Sequence, residues 1–304
     1  MTAKEIISYM ESLRNEEQRK NLMRFFKTGP GDYGEGDEFL GLKVPQVREV
    51  VKSALTLNSA PLTIDEVPEL LMSKWHEVRL CGLLILVAMF EKQSLLSTSS
   101  VANGNSLPFV EPQPHSVAAL KTPVAPSRER GMKLKENDEA AIRGRDEILT
   151  MYLQYAERAN NWDLVDLSAP KILGHWLMLP TNLGTTESRI HGMTEYKIKV
   201  LDELANSDCL WKQRMSIVCT WKTSQMGDPS WCLRYAEVHL HHPHDLMHKA
   251  VGWMLREMGK RCSMDLLRDF LRQHAHEMPR TMLRYAIEKM PEEERTEWMN
   301  IPMK

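Results

Sequence analysis

Trp162 and Asp166 stand four residues apart in Asn160-Asn161-Trp162-Asp163-Leu164-Val165-Asp166, a stretch that otherwise reads as helix. That spacing puts both side chains on one helical face, one turn apart. An aromatic wall beside a carboxylate attracts a cationic ligand, through the ring face and through the negative charge. The same residues also fit an ordinary helix start, with Asn160 or Asn161 as N-cap, Trp162 packed inward and Asp166 solvated. Two later stretches carry similar chemistry. In Leu210-Trp211-Lys212-Gln213-Arg214-Met215, Arg214 lies three residues from Trp211 with Lys212 nearby, and an arginine fork suits phosphate. The basic stretch from Lys249 to Arg261 adds Trp253, Arg256 and Glu257. Taken singly, Trp253 also fits a core position, and Arg256 and Glu257 a solvated surface.

A further cluster is dense in imidazole: His239-Leu240-His241-His242-Pro243-His244, with His248 beyond. Imidazole favours transition metals. This segment, however, lies between two helices, contains a proline, and lacks an acidic or thiolate partner at metal spacing. It reads as a solvated turn.

The elements that must position these residues are helical. Apolar residues recur at helical spacing over Thr2 to Leu13, Glu16 to Lys27, and from Val44-Pro45 through Leu55. Thr63-Ile64-Asp65-Glu66 has the capping chemistry of a helix start, and Trp75 to Lys92 is the most apolar helix. Between the second and third, the Gly-rich stretch Thr28 to Asp37 is a loop. Residues 94 to about 138 are rich in Ser, Asn and Pro and then turn basic, the pattern of a mobile, disordered insertion. Helix resumes from about Glu139 to Arg158, and the Trp162 helix is predicted to run to Met178. After a loop from Pro180 to about Gly192, helices follow at Thr194–Ala205, Leu210–Ser224, Pro229–Leu240, Asp245–Lys260, Met264–His276 and Pro279–Lys289. No strand is predicted. Antiparallel helix pairs joined by short turns predict an all-α fold, an α-solenoid of HEAT-like repeats forming one domain over residues 1–304, with a concave face suited to an extended partner.

Composition bounds the function. Apolar content of 42% and charged content of 26% are those of a globular protein. No run approaches the roughly 18 apolar residues of a membrane helix. The N-terminus lacks an apolar signal region, so an intracellular protein, in cytoplasm or nucleus, is expected rather than a secreted one. The five cysteines are scattered and form no CxxC pair, which fits buried packing in a reducing compartment and no zinc framework. A net charge of −2 requires any nucleic-acid binder to gather its positive charge on one face.

Together, Trp162-Asp163-x-Val165-Asp166, Trp211-x-Gln213-Arg214 and Gly252-Trp253-x-Leu255-Arg256-Glu257 resemble the DNA alkylation repair family of AlkD-like glycosylases. Upstream, Tyr33-Gly34-Glu35-Gly36-Asp37, the run Phe39 to Arg48, and Ser73-x-Trp75-His76-Glu77-Val78-Arg79 are similar to stretches common in that family. The resemblance covers nearly the whole chain outside the insertion and the loop near residues 180–192. It implies hydrolysis of the N-glycosidic bond of N3- and N7-alkylated purines. Such a base is already a cationic leaving group, so catalysis consists of stabilising positive charge on the deoxyribose and placing a water. Asp166 matches the family's catalytic carboxylate, Trp162 and Trp253 its lesion-flanking aromatics, and Arg214 its phosphate contact. Lys212, Arg48, Lys43 and Arg256 complete the expected DNA-binding set. The resemblance implies that the base need not be flipped out, and that the repeat surface holds the duplex by its backbone. The expected partner is double-stranded DNA with alkylated purines, met by a monomer without metal, organic cofactor or membrane. The rival is a non-catalytic helical-repeat scaffold binding nucleic acid or protein on its concave face.

Overall fold

The computed structural model describes residues 1–56, 62–101, 136–184, 189–190 and 193–303. Local chemistry starts the helices where the sequence predicts. Thr2 accepts the Glu5 backbone N–H while Glu5 reaches back to Thr2, a reciprocal cap that opens α1 (Ala3–Ser12). Asn15 caps α2 (Glu16–Phe25), and Val44-Pro45 opens α3 (Val44–Thr56). A single turn at Ile64–Glu66 leads into α4 (Val67–Leu71).

Helix α5 (His76–Val101) is longer than its apolar run, so the first residues of the expected insertion are helical. Helix α6 (Glu136–Gln154) likewise starts before Glu139. The rest of the insertion, residues 102–135, lies outside the described residues. The Trp162 helix does not reach Met178: α7 (Trp162–Ser168) stops just ahead of Pro170, and α8 (Leu173–Leu177) follows after a turn. Proline has no N–H to donate and disfavours helix in the residue before it.

The loop before α9 (Glu195–Ala205) contains a two-residue strand pair, β1 (Arg189–Ile190) with β2 (Met193–Thr194), where no strand was predicted. So short a ladder leaves no periodicity to read. The predicted Leu210–Ser224 helix is two, α10 (Leu210–Val218) and α11 (Thr220–Gln225), broken where Thr220 bonds its hydroxyl back to the Ile217 carbonyl. Helices α12 (Ser230–Val238), α13 (Asp245–Arg261), α14 (Met264–His274) and α15 (Arg280–Ala286) follow as predicted. An unpredicted α16 (Glu292–Met299) closes the chain behind Pro291, with Glu292, Glu293 and Glu294 in its first turn.

The fold is all-α, and its helices form a row. Helix α5 packs on α7, α7 on α10, α10 on α13, and α13 on α15. The others flank that row, with α3, α4 and α6 on α5, α9 on α10, and α11, α12 and α14 on α13. Close packing is written into particular residues. A Cβ on Gly252 would lie 2.4 Å from the Met282 carbonyl, so only glycine lets α13 approach α15 this closely. Trp176, Phe39 and Phe90 are fully buried along the core. No described helix is long and apolar enough to cross a membrane. All five cysteines are free, with Cys81, Cys219 and Cys232 buried, as the scattered spacing predicts.

Candidate active site

The row of helices carries the expected residues to one cleft of about 560 Å³. Trp162 and Asp166 come from α7, Arg214 from α10, Trp253 and Arg256 from α13. Lys249 of the same helix, Tyr285 of α15, Leu246, Phe25 and Tyr33 complete the lining.

Asp166 does not stand free in the cleft. Arg214 grips it edge on, Nε to Oδ1 and Nη2 to Oδ2, each at 2.9 Å. The remaining arm, Nη1, donates to the Leu246 carbonyl at 2.7 Å. Arg214 is thus turned inward, with its side chain 6% exposed against 17% for Asp166. Burial raises the Asp166 pKa above its ordinary 3.8, and the Arg214 charge and hydrogen bonds pull against that rise. A bidentate guanidinium favours the ionised carboxylate, which leaves a fixed negative charge at the cleft wall.

Trp162 is set by aromatic packing. Phe26 stacks on it at 5.2 Å between centroids, and Phe25 meets it edge-on at 5.9 Å. Phe25 is itself 63% exposed, an apolar side chain held out at the cleft. Trp253 is half-buried in the same lining, on α13, where its neighbour Gly252 seats that helix closely on α15.

Beneath α7 runs a buried polar network joining the upstream motifs to the site. The Asp163 carboxylate meets His76 Nε2 at 2.9 Å, and His76 Nδ1 meets Asp37 Oδ2 at 2.7 Å. Arg79 pairs with the other Asp37 oxygen, and Asn161, the N-cap of α7, donates to Asp37 at 3.4 Å. Burial alone would lower the His76 pKa, yet the charges and hydrogen bonds of Asp163 and Asp37 raise it to about 9, so the ring is an imidazolium at neutral pH. Asp37, opposed by burial but drawn down by His76 and Arg79, is held below the ordinary carboxylate value. Next door, Glu77 accepts the backbone N–H groups of Leu40, Gly41 and Leu42 at 2.8, 2.8 and 3.0 Å. The segment Asp37–Leu42 is thereby tied to the start of α5. From the upstream stretches, Asp37, His76, Glu77 and Arg79 are structural supports for the helix that carries Trp162 and Asp166.

The remaining expected DNA contacts lie elsewhere. Lys212 points to Glu157 at 2.6 Å, outside the cleft lining. Arg48 is exposed on α3, and Lys43 borders a second cavity of about 450 Å³ that shares Phe25, Trp162 and Asp166 with the first. Arg256 does line the cleft, paired there with Glu288 and Glu257. Sequence reasoning passed over Phe25, Tyr33, Lys249 and Tyr285 as site residues. The signal for Lys249 was its place four residues before Trp253 on one helix; Phe25, Tyr33 and Tyr285 offered none, because they reach the cleft only through tertiary packing.

The histidine segment is not the solvated turn expected from its sequence. His239 is buried, His242, His244 and His248 are half-buried, and all four are hydrogen-bonded. Among the described residues, no group of three or more His, Cys, Asp or Glu is arranged to hold a metal ion.

A family model for DNA alkylation repair enzymes matches residues 6–102 and 131–290. No functionally curated protein matches the chain. Among solved structures, a protein from Enterococcus faecalis described as a predicted DNA alkylation repair enzyme has the same fold, with a TM-score of 0.55 over 92% of this chain and 97% of that one. The two are 12% identical, so that likeness speaks to fold alone. The family model spans well over half of the residues, and the chain belongs to the DNA alkylation repair enzyme family.

Proposed function

We propose that this cleft hydrolyses the N-glycosidic bond of cationic N3- and N7-alkylated purines in duplex DNA, without flipping the base, in one HEAT-like repeat domain spanning residues 1–304. The observation that carries the reading is Asp166, held by Arg214 in a cleft walled by Trp162 and Trp253. A lesion of this kind leaves with its own positive charge. What the protein must supply is a fixed negative group for the cation growing on the sugar, and a place for water. Asp166 fills that role electrostatically. Trp162 and Trp253 offer π faces to the same charge.

Arg214 holds and orients the carboxylate at rest. The phosphate contact implied by resemblance would use the two N–H groups of Arg214 that Asp166 and Leu246 leave unengaged. Arg256, Lys212, Lys43 and Arg48 meet backbone phosphates, with Lys249 added at the cleft. The reaction needs no metal or organic cofactor, and the protein acts inside the cell as a monomer. The test is release of free base from methylated duplex DNA by wild type and Asp166→Asn side by side. Release of 7-methylguanine or 3-methyladenine by wild type alone supports the reading, and no release by either sinks it.

One observation favours the rival scaffold. Arg214, Arg256 and Lys249, the cleft's three cationic side chains, are each already paired with a carboxylate. DNA binding without base release from any methylated substrate would select that role.

A further inference from the structure

The histidine-rich turn between α12 and α13 lies outside the cleft chemistry, yet it is bonded to the helix that carries Arg214. His242 Nδ1 accepts the His244 backbone N–H at 3.1 Å, and His244 Nδ1 accepts the Leu246 N–H at 3.1 Å. Each ring does what asparagine does in a turn or at an N-cap, accepting from the backbone two residues on. With Nδ1 occupied as an acceptor, His242 carries its proton on Nε2 and donates it to Gln213 Oε1 at 2.8 Å. Gln213 donates its own amide to the Ser207 carbonyl at 2.7 Å, which fixes the amide's orientation. His239 Nε2 bonds the Ser216 hydroxyl at 2.8 Å, and that hydroxyl donates to the Gln213 carbonyl. The turn is therefore stitched to α10 on both sides of Arg214. Its last rung is Leu246, whose carbonyl takes the third arm of Arg214.

We infer that His242 and His244 are positioning residues: as neutral acceptors they set the first turn of α13, and with it the Leu246 carbonyl that locks Arg214 against Asp166. The consequence for catalysis rests on the proposed role of Asp166; the anchoring does not. An imidazolium has no lone pair at Nδ1, so protonation turns each acceptor into a donor facing another donor, and the rung opens. The charges around the turn oppose this. Burial first, then His248, Arg214 and Lys249 lower the His244 pKa, against Asp245, which raises it. Burial, His244 and His248 lower that of His242. On the α12 side, burial and His242 hold His239 near 4, while exposed His241 faces Glu277 at 3.6 Å. The rings stay neutral through the neutral range, and the anchor gives way only in acid.

Asparagine at both positions keeps a backbone acceptor that cannot titrate, so the test compares wild type, His244→Ala and the double variant His242→Asn/His244→Asn. Two quantities are read from pH 4.5 to 8: base release from methylated duplex DNA, and hydrogen exchange at the Leu246 amide. His244→Ala should lose at least tenfold in kcat at pH 7 with little change in KM. The double variant should restore kcat and move the acid limb of the profile to lower pH, leaving only the part due to Asp166. The Leu246 amide should lose protection in acid in wild type and keep it in the double variant. Superimposable acid limbs and equal Leu246 protection in wild type and double variant would overturn the inference. If wild type releases no base, the exchange data alone decide the anchoring, and the glycosylase reading fails separately.

Discussion

Arg214 and Asp166 meet through two parallel hydrogen bonds of 2.9 Å across the boundary between α10 and α7, and neither group is paired by its own helix. The arrangement fixes the carboxylate's direction as well as its charge. Asp166→Asn keeps the shape and removes the charge. Base release should fall at least 10²-fold, the order seen when one preorganised electrostatic group is lost. DNA affinity, read by fluorescence anisotropy on methylated duplex, should hold or rise, since a negative charge facing the phosphates is gone. A parallel loss of affinity and activity would contradict the assignment.

Removing the other partner has a different signature. Arg214→Ala strands a mostly buried carboxylate, at a cost of about 3 kcal/mol. Urea unfolding should show it as a lower midpoint. If Arg214 serves Asp166 and not a phosphate, the slope of log affinity against log salt should match wild type. Arg256→Ala should shallow that slope by about 1, the effect of one lost phosphate contact. A reversal of these two slopes would return the phosphate role to Arg214.

His76 makes stability depend on pH in a defined direction. Its folded pKa of about 9 lies above the ordinary 6.5, so its contribution is complete below about pH 6.5 and is lost as pH rises through 9. Asp37 acts oppositely, its contribution fading only as pH falls through its lowered folded pKa. Thermal unfolding between pH 6 and 10 should show a falling Tm, and His76→Gln should flatten that fall while lowering Tm at pH 6. An unchanged alkaline slope in His76→Gln would locate the dependence elsewhere.

Gly252→Ala tests how Trp253 is placed. The added methyl meets the Met282 carbonyl, which belongs to backbone and cannot swing aside. Helices α13 and α15 must separate, at about 1–3 kcal/mol. Base release should fall by more than the stability loss explains at 25 °C, because Trp253 moves with its helix. Wild-type kinetics in a destabilised variant would show that Trp253 need not be held so closely.

Much of this was legible in the chain. Capping residues, proline positions and the 3.6-residue apolar rhythm fixed the all-α class and most helix starts, because those are local effects between near neighbours. Type and spacing single out Trp162, Asp166, Arg214, Trp253 and Arg256, the family resemblance gives them site roles, and the structure brings all five to one cleft. The apolar pattern predicts one helix from Trp162 to Met178, whereas α7 ends at Ser168, just ahead of Pro170.

Tertiary structure decided the rest. Composition could not show that Arg214 faces a carboxylate 48 positions away instead of solvent, or that His76 bridges carboxylates 39 and 87 positions distant. Nor could it show that four histidines form hydrogen-bonded rungs instead of a solvated turn. A charged side chain's local sequence fixes which face of its helix it leaves, whereas its partner depends on which helices lie alongside. That is set by the sum of apolar packing over the whole row, and no short motif carries it.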